Sequence, residues 1–498
     1  MSEIYGSVIS TPDGPSTRKF SFVIKKDSPV QRGQFVQIKT RNGILVARVS
    51  DIFKSNRYFE NAESVQKIED DGRKMAESFP VDYWEYDVAD AFVMGLYSNE
   101  RFVDSTRPAS PGSDVVEPDM KLLKQFFGFE DGGIHIGKLP HHDLDVNVNL
   151  TRMLQKHMAV LALSGAGKSY LISVMIEELL GRKPESGVAV IIMDPHGEYR
   201  SFADDPNYIN KTHVFESSSV KLGLSEMSPY EIVDLIPEIV SGAQRRELMK
   251  HLSELRKNPF NMDELIQYTE ENTKNAVTKD QLLLHLDNVK RLDLFDVAET
   301  PDLNKLAIQG ELSVVDLSDT TSGRKKQIIV SHLAEKLFNA RTKGLIPPFV
   351  LIIEEAHQFA PEGTKREAAL ARGIITKIAR EGRKFGASLC LISQRPKMLS
   401  TTSLSQCNTQ FILRITNPYD LKHIEESSEG ITKDVSDRIS SLKVGTGLIV
   451  GEAVNFPLFV NIRKRKSKDS GKGKSLESMA LEYHQDKERK KQDSKEFI

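Results

Sequence analysis

The stretch ALSGAGKSY, from Ala162 to Tyr170, follows the apolar run HMAVLAL and precedes the helical pattern SYLISVMIEELLGR. A strand, a turn of small residues and a helix, in that order, form a phosphate-binding loop. Small residues let successive backbone N–H groups curl around phosphates, and the helix N-terminus adds its positive end. Ser164, Gly165, Ala166, Gly167, Lys168, Ser169 and Tyr170 are therefore the expected ATP-binding residues. Lys168 would reach the β- and γ-phosphates, and the Ser169 hydroxyl would hold Mg²⁺. The pattern G-x-x-x-x-G-K-[ST] carries alanine, Ala162, at its first position. A methyl group fits there provided φ stays negative.

The runs VAVIIMD, LSVVDLS, FVLIIEE, ASLCLIS and QFILRIT are continuous rather than alternating, as expected of strands buried on both faces. Helical stretches such as GRKKQIIVSHLAEKLFNARTKG and EAALARGIITKIAREGRKFG separate several of them. The fold class is α/β, a mostly parallel sheet covered by helices. Residues 227–306 are charged and read as a helical insertion. Ahead of the loop, Ile4 to about Phe53 is short, alternating and β-branched, the pattern of a small antiparallel barrel or sandwich. A helical, acidic stretch, Glu63 to Glu77, and a further strand, AFVMGLYS, follow it. The expected domains are thus a barrel over 1–146, an ATPase domain over 147–462 and a charged tail over 463–498, with KDSGKGKS flexible and LESMALEYHQ a short helix.

At 498 residues the chain exceeds one ordinary core. The formal charge of −2 shows no global basic excess, so any nucleic-acid contact must be local. Cys390 and Cys407 fit neither zinc spacing nor a disulfide framework, which points to a reducing interior. No signal-like segment opens the sequence, and no apolar stretch nears the roughly 18 residues of a membrane span. The expected address is the cytoplasm.

The run VLIIEE stops on paired charge. In a phosphate-loop ATPase a second buried strand beside the first ends in an acid that helps hold Mg²⁺, followed by a group that polarises the attacking water. Glu354 takes the first role, through water, and Glu355 the second, as general base. Asp194, at the end of VAVIIMD, with His196 and Glu198 in the following turn, reads either as a further acid near the metal or as a cap. Gln394, ending ASLCLIS, either senses the γ-phosphate or is a buried hydrogen-bonded amide. In ALARGIITKIAREGRKFG, Ala371, Ile374, Ile375 and Ile378 form the stripe that packs on the sheet. That turns Arg372, Thr376, Arg380 and Arg383 away. Arg380, with Arg383 as its alternative, is the expected arginine finger for a neighbouring subunit, worth about 10³–10⁵ in rate.

SGAGKS, DPHGEY, IIEEAHQFAP, EGRKFG and ISQRP, in this order behind a barrel-like segment, resemble the HerA family, within the FtsK/HerA group of ATPases. The resemblance implies a RecA-like core, a homo-hexamer, hydrolysis between neighbours and movement along double-stranded DNA. It also implies a NurA-type nuclease as partner in repair of DNA ends. The same resemblance leaves open an ATPase subunit of an antiphage defence complex, or a conjugation or secretion motor. In such rings the loops after the acidic strand and after the glutamine strand line the channel. Here these carry Lys365 and Arg366, and Arg395 and Lys397, cations that would hold phosphates without reading sequence. Lys156 stands where relatives carry a basic residue near the nucleotide. A non-catalytic nucleotide-binding scaffold is the rival class, against which Glu355 argues.

Overall fold

The structure, a computed structural model, describes residues 3–496 except 13, 61, 71, 73, 75–79, 366, 367, 429, 430 and 469–475. The chain forms two compact units, 1–149 with 454–462, and 150–453 with 463–498.

In the first unit the strands are β1 (Ile4–Ile9), β2 (Lys19–Ile24), β3 (Phe35–Thr40), β4 (Gly43–Asn56), β5 (Glu85–Ser98), β6 (Arg101–Val103) and β7 (Asp114–Val116). They run in the order β2-β1-β7-β3-β4-β5-β6, and β2 also pairs with β5. That pairing closes an antiparallel barrel, the more specific of the two expected forms, and closure removes the unpaired edges of a sheet. Alternate residues such as Phe20, Phe22, Val36, Ile38, Ala89 and Ala91 fill it. The acidic helix is shorter than expected, Ala62–Asp70, and the end of the expected segment lies outside the described residues. β8 (Ile134–Lys138) and β9 (Asp145–Val148) form an antiparallel pair. The strand Leu458–Ile462 joins β8, so a segment expected in the second domain belongs to the first unit. Backbone pairing across more than three hundred residues leaves no mark on local sequence pattern.

In the second unit the strands are β10 (Met158–Leu161), β11 (Ala189–Asp194), β12 (Thr212–Glu216), β13 (Leu222–Gly223), β14 (Phe295–Asp296), β15 (Leu312–Asp316), β16 (Phe349–Ile353), β17 (Ala387–Ser393), β18 (Thr409–Ile412) and β19 (Thr446–Gly451). Within this unit the order is β12-β15-β11-β16-β17-β10-β18-β19, parallel except for the antiparallel β18–β19 pair. The continuous apolar runs are the interior strands, buried along their whole length. One expectation is corrected: β16 does not lie beside β10, because β17 is inserted between them. A crossover helix fixes handedness but not which of two slots its strand fills.

The insertion is helical as expected, with Pro229–Asp234, Gly242–Leu255, Met262–Asn272, Ala276–Lys290 and Leu303–Leu306. Its β14 pairs in parallel with β13, which lies just ahead of the insertion, two residues each. The tail begins by docking rather than trailing. Arg463 bridges Glu177 and Glu178 at 2.8 Å each, and the Arg465 N–H donates to the Tyr170 hydroxyl at 2.8 Å. The rest of KDSGKGKS after Lys468 lies outside the described residues, and the helix beyond it is longer than expected, Leu476–Glu496.

Candidate nucleotide site

Gly165 and Gly167 adopt φ of +73° and +99°, values that cost little only without a Cβ. Ala162 is not among the residues of positive φ. Its N–H donates to the Ser393 carbonyl at 3.2 Å, and that of Leu163 to the Arg414 carbonyl at 2.9 Å, which anchors the loop to the strands on both sides of β10. The helix Lys168–Leu180 starts directly on Gly167. Lys168 is nearly buried, with Nζ 3.5 Å from Glu355 Oε1. The Ser169 hydroxyl donates to Glu198 Oε2.

β16 delivers the two acids differently. Glu355 sits at φ +50°, ψ +43°, a left-handed conformation that costs a residue with a side chain about 1–3 kcal/mol. This bend lets its Oε1 accept from the Gln394 amide while its Oε2 lies 3.3 Å from His357 Nδ1. Glu354 is 1% exposed, and its Oε2 has no hydrogen-bond partner. Burial pushes its carboxyl up to about 8; Lys168 opposes this, and Glu198, Glu355 and Asp194 add to it.

Asp194 departs from the expectation of a further acid at the metal. It is fully buried and accepts N–H bonds from His196 at 3.2 Å and from Gly197 and Tyr199 at 2.9 Å each. Burial raises its pKa, and backbone N–H bonds from Tyr199, His196 and Glu198 oppose the rise. Its carboxylate folds the turn, and the acid that the turn presents to the loop is Glu198.

The donor set suits a hard divalent cation, which takes oxygen ligands and keeps several waters. The Ser169 hydroxyl bonds the Glu198 carboxylate, Glu354 interacts electrostatically with both Glu198 and Lys168, and one carboxylate oxygen of Glu354 is unpartnered. Among the described residues no group of three His, Cys, Asp or Glu is arranged to hold a metal by itself. Such an ion would be shared with nucleotide phosphates, through Ser169 and Glu354.

On the helix Arg372–Glu381 the stripe Ala371, Ile374, Ile375 and Ile378 is buried as expected. Two of the four outward residues are engaged within the chain: Arg372 donates to the Thr364 carbonyl at 3.3 Å, and Thr376 lies 3.3 Å from the Ser403 hydroxyl. Arg380 and Arg383 are exposed, Arg383 on the turn Gly382–Phe385 that follows the helix. Lys156 is corrected. It lies before the amino end of β10, away from the loop at its carboxyl end, and pairs with Glu452.

The two candidate DNA loops are stitched together. Glu362 N–H donates to the Met398 carbonyl at 2.8 Å, Ser400 N–H to that of Ala360 at 2.8 Å, and Pro361 bridges Leu399. Lys365, Arg395 and Lys397 are exposed, and Lys397 Nζ lies 4.8 Å from the centre of the Tyr419 ring. Arg366 lies outside the described residues. Sequence reasoning missed His357 and Ser393, whose side chains are 3.2 Å apart. The only signal was position, His357 two residues past the second acid and Ser393 just before Gln394.

Comparison with known proteins follows the same lines. The family described as the central domain of helicase HerA matches residues 134–337. The DNA double-strand break repair helicase HerA of Sulfurisphaera tokodaii is 30% identical over 378 residues, covering 70% of this chain and 72% of that protein. That of Pyrococcus furiosus is 28% identical over 517 residues, 90% of each. Among solved structures, VirB4 of Thermoanaerobacter pseudethanolicus has a TM-score of 0.53 at 18% identity, covering 68% of this chain and 98% of that one. This likeness is one of fold alone.

Proposed function

Since the chain belongs to the HerA helicase family, we propose that it is an ATP-hydrolysing DNA translocase, six copies of which ring double-stranded DNA and serve a NurA-type nuclease at DNA ends. The observation that carries the reading is the convergence of Lys168, Glu355 and Gln394 from three different strand ends, with Lys168 Nζ 3.5 Å from Glu355. Ligands of parallel sheets sit at the carboxyl ends of strands, and a lysine, a base and an amide are the parts that phosphoryl transfer to water requires.

In this reading the N–H groups of residues 164–170 cradle the triphosphate and Lys168 leaves Glu355 for the β- and γ-phosphates. Ser169 and Glu354 would hold Mg²⁺, which would supply neutralisation of the charge that develops on the phosphates. Glu355 then accepts a proton from the attacking water, and Gln394, already hydrogen-bonded to Glu355, holds that carboxylate in line. Arg380 of one copy, or failing it Arg383, stabilises the transition state in the next. The stitched loops with Lys365, Arg366, Arg395 and Lys397 grip phosphates of the duplex, which reconciles a chain of net charge −2 with a polyanion. No described helix is long and apolar enough to cross a membrane, and the cytoplasm is the proposed address.

The test is steady-state hydrolysis with and without blunt duplex DNA, alongside particle images with a non-hydrolysable nucleotide. Stimulated turnover and six-fold rings around DNA are expected. A monomer that hydrolyses ATP at the same rate with or without DNA would overturn the reading.

A further inference from the structure

Ser393, the last residue of β17, is fully buried and joins three parts of the site. Its carbonyl accepts the Ala162 N–H of the phosphate loop at 3.2 Å. Its hydroxyl oxygen accepts the Arg395 N–H, at the start of the glutamine-strand loop, at 3.0 Å. The same oxygen lies 3.2 Å from His357 Nδ1, which in turn lies 3.3 Å from Glu355 Oε2. One ring nitrogen therefore faces two oxygens that make different demands. A neutral imidazole nitrogen is either donor or acceptor. As donor it can hold the Glu355 carboxylate. As acceptor it takes the serine O–H, and Glu355 loses that support.

We propose that His357 and Ser393 form a relay through which DNA on the Arg395–Lys397 loop sets the orientation of Glu355. The inference rests on the reading of this chain as a DNA translocase and gives it a coupling element. Both loops feed the relay. The Lys397 N–H is held by Asp420 at 3.0 Å, and the bonds between 360–362 and 398–400 make a load on either loop a load on both. A shift that alters the Arg395 N–H bond to the Ser393 hydroxyl changes which proton that hydroxyl shares with His357. Glu355 is sensitive to such a change because His357 Nδ1 faces one of its two carboxylate oxygens at 3.3 Å, and a misplacement of about 1 Å near a reacting group costs on the order of 10²-fold in rate. His357 touches no reacting atom in this scheme; it is a positioning residue.

The experiment uses the full chain, with Ser393→Ala and His357→Asn as separate variants; the His357 side chain is partly exposed, so its replacement leaves the core intact. Hydrolysis is measured with and without saturating blunt duplex, and duplex affinity is measured independently. The ratio of stimulated to unstimulated kcat is expected to fall at least about fivefold in both variants, the scale of one hydrogen bond, while duplex Kd stays unchanged. A merely structural role would lower both rates together and leave the ratio intact. Either folded variant keeping the wild-type ratio would overturn the relay while leaving the translocase reading in place. A wild-type protein indifferent to DNA would remove that reading, and the relay with it.

Discussion

Lys168 Nζ lies 3.5 Å from Glu355 Oε1, although the strands that lead to them, β10 and β16, are separated by β17. The strand between them is not a spacer, since its end carries Gln394 into contact with the same carboxylate. A buried ammonium beside a buried carboxylate gives each charge a partner, and leaving either charge alone in a dry site is costly.

Replacing Glu355 with Gln is expected to keep or tighten ATP binding, because Lys168 loses its competing partner, while turnover falls about 10²–10⁴-fold, the range of a general base. Nucleotide binding and phosphate release measured on the same preparation check it. Retained turnover would move the base to Glu198, since the Asp194 oxygens are committed to the N–H groups of its own turn.

Arg380→Ala and Lys168→Ala are each expected to abolish most turnover. Mixing the two proteins is expected to restore part of it, because a finger contributed by one copy completes the cradle of another. The check is the rate as a function of mixing ratio. A mixture as inactive as its components points instead to a finger elsewhere, Arg383 first.

Neutralising Lys365, Arg395 and Lys397 together is expected to weaken duplex binding for all sequences alike. The slope of log K against log salt flattens by about 0.9 for each phosphate that the protein no longer neutralises. An unchanged slope would place the duplex on another surface.

The docked start of the tail makes a stability prediction. Burial alone would raise the pKa of Glu177, but N–H and hydroxyl bonds from Ser467, the Arg463 guanidinium and the Lys466 N–H outweigh it, so the carboxyl is held below its usual range. A depressed carboxyl stabilises the fold above its unfolded pKa of about 4.3 and ceases to as pH falls through the lower folded value. Arg463→Ala, which leaves a buried carboxylate short of its cation, is expected to cost about 3–5 kcal/mol at neutral pH. The difference in denaturant stability between wild type and Glu177→Gln is expected to shrink below about pH 4.

By itself the sequence determined the class of the fold, and it located the candidate phosphate loop and the residue types proposed for the chemistry, because these depend on local periodicity and on short motifs. Continuous apolar runs must be buried on both faces, and two small residues of positive φ must precede the lysine wherever the strand lies. The tertiary structure decided which strands became neighbours: β17 between the lysine strand and the acid strand, and Leu458–Ile462 carried back to β8. It decided that Asp194 folds a turn while Glu198 meets Ser169, and that His357 and Ser393 face each other. The physical reason is that hydrogen bonds and charge pairs act over a few ångströms regardless of separation along the chain, so their partners are chosen by packing, which local sequence pattern does not encode.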